Sequence, residues 1–527
     1  MSQTRSHWGW GFEASLPSET ERAELAAQLR AVFSWTLPAP RPYPTLDQAT
    51  VPTPRIAIPG VLAPFCTADR DERARHTYGR AFPDLLRGYR GDFSPAPDMV
   101  AIPRDEDDIL STLKWASGAN VAVVPFGGGS SVTGGVECRG DGYNGVISLD
   151  LRNLNKVLEI DRTALQARIQ GGALGPDLEA ALGNAGLSLR HFPQSFMHST
   201  LGGWIATRSG GHFATRYTHI DELVSSIRML TPVGPWESRR LPGSGAGPSP
   251  DRLVMGSEGI LGVITEAWMR VFPRPIFRSK ATVHFSDYAR AVAATRAIAQ
   301  ARLYPSNCRL LDQNEAMLNL VAFGAHVLLL GFESADASPA SLLDRAVQIA
   351  QDHGGTLADG PTHTEDHADR SGNAQNWRAA FLRAPYRQSA LLTLDVIADT
   401  FETAITWERF PALHEAVLQA TRSAGAKFVS CRFTHVYPDG PAPYYTFLLP
   451  APHDEMMARW RAVKTAASDV LIEHGATITH HHAVGRTHRP WYDQQRPDTF
   501  AHALHATKRA LDPAQILNPG VLIDPKP

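Results

Sequence analysis

Three consecutive imidazoles stand near the end of the chain, at His480, His481 and His482, within Thr479-His480-His481-His482-Ala483-Val484-Gly485-Arg486. A free imidazole titrates at about 6.5, so side chains of this type can take and give protons at neutral pH. If the run is extended, His480 and His482 face one way and His481 the other, so that one face meets substrate and the other meets protein. The competing reading is a solvated or metal-binding tract. No carboxylate or further ligand lies nearby at zinc spacing, and no metal is expected.

A second chemistry is written in Pro125-Phe126-Gly127-Gly128-Gly129-Ser130-Ser131-Val132-Thr133-Gly134-Gly135. It follows Val121-Ala122-Val123-Val124, an apolar β-branched run that reads as a buried strand. Glycines and hydroxyl residues at a strand end let successive N–H groups turn toward an anion, and a pyrophosphate is the natural guest. The spacing is neither G-x-x-x-x-G-K-[ST] nor G-x-G-x-x-G opening a helix, which sets aside a P-loop and a nicotinamide-type crossover. Alone, such a run is more often an ordinary turn. Two more glycine-rich segments, Ser199 to Gly211 and Met255 to Thr265, change the balance. Three such loops within roughly 140 residues, each abutting a strand or helix candidate, suit one extended ligand held by backbone.

The elements that must position these groups fall into more than one core, because 527 residues exceed what a single core holds. Residues 1–95 are mixed and proline-rich, with a helix expected over Glu19 to Phe33 and a capping box formed by Ser18 and Glu21. Pro38 to Pro44 reads as an extended connector. Residues 96–275 alternate strands, such as Gly145 to Leu151, with helices, such as Pro176 to Leu187. From 276 to 455 the expected order is strand Ser279 to Phe285, helix Asp287 to Ala301, strand Cys308 to Leu311, strand His326 to Phe332 and helix Pro339 to His353. That order suggests a ferredoxin-like sheet. Residues 456–527 return to the glycine- and asparagine-rich style of the first region, as they would if the second domain were inserted into the first.

A formal net charge of −2 and the absence of a basic run exclude a nucleic-acid partner on electrostatic grounds. Cys66, Cys138, Cys308 and Cys431 lie far apart and read as reduced thiols of a cytoplasmic protein. The N-terminus lacks the apolar core of a signal peptide, and no run of about 18 apolar residues exists.

The order and content of the three glycine-rich loops resemble the flavin-binding domain of the vanillyl-alcohol oxidase and p-cresol methylhydroxylase superfamily. The resemblance implies an α+β fold: a two-part FAD-binding domain with an inserted ferredoxin-like cap. It assigns Pro125, Gly127, Gly128, Gly129, Ser130 and Ser131 to the cofactor, with Ser199, Thr200, Gly202, Gly203, Thr207, Ser209 and Gly210 from the second loop. Glu258, Gly259, Gly262, Val263 and Ile264 join them from the third. Leu511 to Gly520 is similar to the superfamily's closing motif. Ser130 stands where covalently tethered members carry histidine, so non-covalent FAD is expected.

Within that superfamily, Trp8-Gly9-Trp10-Gly11-Phe12, Phe401-Glu402-Thr403, Trp407-Glu408-Arg409, Ser430 to Thr434 and the histidine block resemble the alkyldihydroxyacetonephosphate synthase branch. The resemblance implies exchange of an acyl chain for a fatty alcohol, forming an ether with no net redox change at the flavin. It also implies roles for single residues. Tyr444 matches the active-site tyrosine, with Tyr445 the register-shifted alternative and a packed aromatic the bland one. Arg383 and Arg309 match substrate-side arginines; either could instead be a structural ion pair, Arg309 with Asp312. His191 matches a histidine on the flavin side, or is a satisfied core histidine. Thr218 departs from the family, which has glycine there after tyrosine, and Asp439 to Pro443 is unusually proline-rich. A lipid-like or other small-molecule substrate, peripheral membrane contact and a homodimer are expected. A flavin oxidase or dehydrogenase of an alcohol or 2-hydroxy acid is the alternative on the same scaffold, and a non-enzymatic flavin protein is a remote third.

Overall fold

The computed structural model describes residues 4–365, 383 and 385–524. In its first sheet the β-branched strand Val121–Phe126 lies at one edge and pairs in parallel with Gly145–Asp150 from Val121↔Gly145 to Phe126↔Asp150. Met99–Ala101 joins the other side of Gly145–Asp150, also in parallel, and Cys66–Thr67 closes the edge antiparallel. The crossover helix Glu106–Ala119 starts where the Asp105 side chain accepts the N–H of Asp108. It stops at Asn120, whose left-handed backbone ends the helix immediately before the strand. This crossover delivers the first glycine-rich loop at the carboxyl end of a buried parallel strand, where open α/β sheets bind ligands.

A second, antiparallel sheet runs in the order Val157–Asp161, Gln166–Gln170, Val263–Arg270, Val224–Thr231, Gly234–Glu237. Its central strand begins at Val263, where the third glycine loop ends. The short helix Leu201–Thr207 carries Gly202 against it: a Cβ on Gly202 would lie 3.3 Å from Ile264 O in that strand and 2.9 Å from Gly171 O.

The third sheet has eight strands, all paired antiparallel. Phe277–Phe285, helix Tyr288–Gln300, Asn307–Leu311, His326–Ser334 and helix Ala340–Asp352 form one half. Val396–Glu402, helix Phe410–Ser423, Phe428–Val436, Pro441–Pro450 and helix Met456–Glu473 repeat that order in the other. The halves meet through the pair Leu311↔Arg432. The repeat is one of architecture, with no matching residue pattern to announce it.

Most expected elements form where periodicity puts them. Helix Glu19–Phe33 has its full capping box: Ser18 Oγ accepts from Glu21 N at 3.3 Å, and the Glu21 carboxylate accepts from Ser18 N at 2.7 Å. The helix expected over Pro176 to Leu187 is shorter, ending at Asn184. Gly186 adopts φ +74°, and Leu187–Ser188 then pairs with Phe272–Pro273 as a strand. The histidine run is not extended. Consecutive imidazoles touch, with His480 Nδ1 3.0 Å from His481 Nδ1, which strand alternation would forbid.

Both ends of the chain return to the first sheet. Ser6 N donates to Gly11 O in an N-terminal hairpin that buries Trp8 and Trp10, and Ser6 O accepts from the buried Arg80. At the other end Leu517 bridges to Val123. Asn518 Nδ2 donates to Gly135 O and Glu258 O, tying the first and third loops together.

Candidate active site

The three glycine loops and the cap enclose a cavity of about 390 Å³. Every cofactor-side residue named in the sequence analysis lines it. The first two loops touch so closely that a Cβ on Gly128 would sit 1.7 Å from His198 O, and one on Gly127 2.3 Å from Thr200 Oγ1. Gly129 adopts φ +65°. Among the described residues, the N–H groups of Gly128, Gly129, Ser130 and Ser131 meet no protein acceptor. Converging donors without partners are what an anion requires, so these residues fit the pyrophosphate of a dinucleotide.

The opposite wall comes from the cap. Antiparallel register sets Arg432 beside Tyr444, and Tyr444 beside Glu402, in one row across three strands. Strand alternation turns Tyr444 toward the cavity and Tyr445 into the cap core, where its hydroxyl meets His414 Nδ1 at 3.1 Å. Tyr444 donates to Thr400 Oγ1 at 3.0 Å, and the Arg432 guanidinium lies 4.0 Å from its ring centre. Burial raises the Tyr444 phenol above its ordinary value, so it is a proton donor at neutral pH.

Glu402 shapes the histidine run. Its carboxylate accepts from Thr479 Oγ1 at 2.6 Å and from the backbone N–H groups of His480 at 2.7 Å, His481 at 3.1 Å and His482 at 3.0 Å. Burial opposes its charge, but the Thr479 hydroxyl and the backbone N–H donors hold it ionised, below the usual carboxylate value. Wrapped on one carboxylate, the run sends His481 and His482 to the cavity wall beside Tyr444. His480 packs behind them, its ring 4.4 Å from that of His219 and 4.9 Å from that of His435. Burial, then His482, push His481 well below the usual imidazole value, leaving it neutral. Ring nitrogens of His435, His480 and His481 lie within 4.8 Å of one another, a donor set that sequence spacing did not suggest.

The remaining residues divide. Arg309 lines the cavity at 2% exposure, donates to His212 O at 3.2 Å, and is pushed down to about 9 by burial and by Arg432. His191 lies behind the wall, with Nε2 2.8 Å from Ser209 Oγ, and burial lowers it to about 3. It touches the site through Ser209. Arg383, expected on the substrate side, is 70% exposed and faces Glu21 at 3.7 Å; it does not line the cavity. Among the described residues of that segment, Arg387 is the arginine that lines the cavity; its side chain is exposed, and desolvation by the surrounding protein lowers its pKa. Lys464, which donates to Thr400 O at 2.7 Å, was also missed, because its helix pattern reads as an ordinary amphipathic surface. Leu25, Leu29, Leu318, Leu391 and Leu448, which belong to one apolar cluster, also line the cavity.

Two domain families match the chain: an FAD binding domain over residues 97–238 and the C-terminal domain of FAD linked oxidases over 274–522. With the glycine loops and the cap, they define a flavin-dependent enzyme of the FAD-linked oxidase fold. A solved alkyldihydroxyacetonephosphate synthase superposes with a TM-score of 0.81 at 25% identity, covering 98% of both chains. The alkyldihydroxyacetonephosphate synthase of Dictyostelium discoideum is 30% identical over 86% of this chain and 78% of its own. A glycolate oxidase subunit of Bacillus subtilis is 28% identical over 81% and 89%. This chain belongs to the alkyldihydroxyacetonephosphate synthase family of FAD-dependent enzymes.

Proposed function

We propose that this enzyme replaces the acyl chain of a phosphorylated dihydroxyacetone ester with a fatty alcohol, forming an ether. The observation that carries the reading is one cavity lined by the glycine loops, a His/Tyr wall, an arginine set and a group of leucines. The exchange needs a base for a proton beside the ketone, an acid for the departing carboxylate, and cations for the phosphate. His481 serves as the base, and Tyr444 with His482 supplies the acid. Arg387 and Arg309 meet the phosphate, for which guanidinium geometry suits bidentate contact. The cavity-lining leucines take the alkyl chain. When bound, FAD supplies an electron-accepting ring against which the substrate is activated without net oxidation.

FAD is held non-covalently in this reading, since Ser130 occupies the tethering position; acid precipitation should release yellow cofactor into solution. Leu320 and Phe323, 75% and 72% exposed, lie within four residues of Asn319 of the cavity wall, and form the rim that meets a lipid surface. No helix among the described residues is long and apolar enough to cross a membrane, so that contact is peripheral. The enzyme works as a homodimer in the cytoplasm, which light scattering and cell fractionation test.

The phosphate reading is tested by comparing KM for a phosphorylated ketone ester and its dephosphorylated analogue in the unmodified enzyme and in Arg387→Lys. The expected result is a lower KM for the phosphorylated compound, an advantage mostly lost in the variant. Equal KM values in the unmodified enzyme overturn it and favour oxidation of an alcohol or 2-hydroxy acid.

A further inference from the structure

A line of hydrogen bonds runs from His481 away from the cavity to the protein surface. His481 Nδ1 lies 3.0 Å from His480 Nδ1, and His480 Nε2 lies 2.8 Å from the Tyr437 hydroxyl. Tyr437 Oη is 3.0 Å from Thr218 Oγ1, which is 3.2 Å from Glu222 Oε1. Thr218 is 1% exposed, whereas Glu222 is exposed. The other Glu222 oxygen accepts from Tyr217 N at 2.6 Å, which fixes the carboxylate in place.

Proton counting along this line leaves one arrangement. An ionised carboxylate only accepts, so the Thr218 hydroxyl must donate to Glu222. Having spent its proton there, Thr218 accepts from Tyr437. Burial raises the Tyr437 phenol, so that proton stays on it. The Tyr437 oxygen then accepts from His480, which carries its proton on Nε2. His480 Nδ1 is therefore bare and accepts from His481 Nδ1–H. A second contact agrees independently: Glu402 Oε2 lies 3.4 Å from His481 Nδ1 and favours a proton there. His219 does not disturb the order, because its Nε2 bonds His480 O at 2.9 Å, and His435 Nε2 is engaged with Gly211 O at 3.1 Å.

We propose that Glu222, Thr218, Tyr437 and His480 are positioning residues that hold His481 with Nε2 bare toward the cavity, and that the same chain conducts the proton taken there to the surface. The movement balances. His481 Nε2 takes a proton from substrate carbon while Nδ1–H passes to His480 Nδ1. His480 Nε2–H passes to Tyr437 O, the phenol proton to Thr218, and the Thr218 proton to the Glu222 carboxylate and on to water. Return of a proton to product carbon runs the chain backwards and restores every member. Thr218, the departure from the family pattern noted above, is the link that joins the histidines to Glu222.

This inference rests on His481 as the base, and the experiment separates the two. In protein labelled with ¹⁵N-histidine and holding its flavin, the nitrogen shifts of His480 and His481 report where each proton sits. Expected are His480 protonated on Nε2 and His481 on Nδ1. Thr218→Val should move the His480 proton to Nδ1 and lower kcat by roughly 10- to 100-fold, with flavin absorbance and KM unchanged. Thr218→Ser should restore both. A His481 protonated on Nε2 in the unmodified enzyme, or a valine variant with unmoved tautomers and kcat, overturns the proposal. Should the valine variant not fold, Glu222→Gln keeps an acceptor for Thr218 but removes the proton sink. Its kcat should fall and recover with added carboxylate buffer, and an unchanged kcat counts against the chain. Full turnover in His481→Ala would instead remove the base assignment, whatever the tautomers show.

Discussion

Glu402 holds the histidines by their backbone, so charge and geometry at the triplet depend on one buried carboxylate. Glu402→Gln keeps the side chain's size but sets an NH₂ group against backbone donors. A buried donor left facing donors costs about 1–3 kcal/mol, so the loop should loosen, with kcat falling while the flavin spectrum persists. His481→Ala should lose roughly 10²- to 10⁴-fold in kcat with FAD still bound, measured by turnover beside flavin absorbance. The pH profile follows from the same burial. His481 is shifted below its ordinary value, and a lowered pKa keeps an imidazole neutral, as a base must be, at more acidic pH. The acid limb of kcat/KM should therefore fall below pH 6.5; a limb above 6.5 would exclude His481. The histidines were legible as proton-transfer residues because their type alone says so. Glu402 was visible within a motif, but its grip on a loop 78 residues away is a tertiary fact. The exposed Arg383 and the cavity-lining Arg387 show the same limit: residue type is readable, whereas the direction of a side chain depends on what packs around it.

At the scale of elements, the glycine loops are local signals, and they were legible for that reason. Close approach and positive φ select glycine whatever the rest of the fold does. Gly128→Ala should abolish flavin binding, read as loss of visible absorbance on purification, because its Cβ would overlap the His198 carbonyl at 1.7 Å. Retained stoichiometric flavin would show that the loops separate easily. The cap's repeated order of strands and helices was half legible: its first half followed from periodicity, and its second emerged with the pairing Leu311↔Arg432. The histidine run misled strand reasoning because three N–H groups turn inward to one carboxylate, an arrangement alternation does not contain.

Across the whole molecule, the two chain ends and the cap converge on one chamber. The C-terminal Asn518 ties two flavin loops, and the N-terminal hairpin accepts the Arg80 guanidinium beside the first. A flavin fold leaves the reaction class open, since oxidation and exchange share the scaffold. The chamber's arginines and leucines argue for a phosphorylated, long-chained substrate. The most direct test is anaerobic incubation of the flavin-loaded enzyme with a phosphorylated acyl-dihydroxyacetone and an isotopically labelled fatty alcohol. The account predicts labelled ether and one released fatty acid per ether, with the flavin still oxidised at the end. Bleaching of the flavin by an alcohol or 2-hydroxy acid, with no ether formed from the ketone ester, would contradict it.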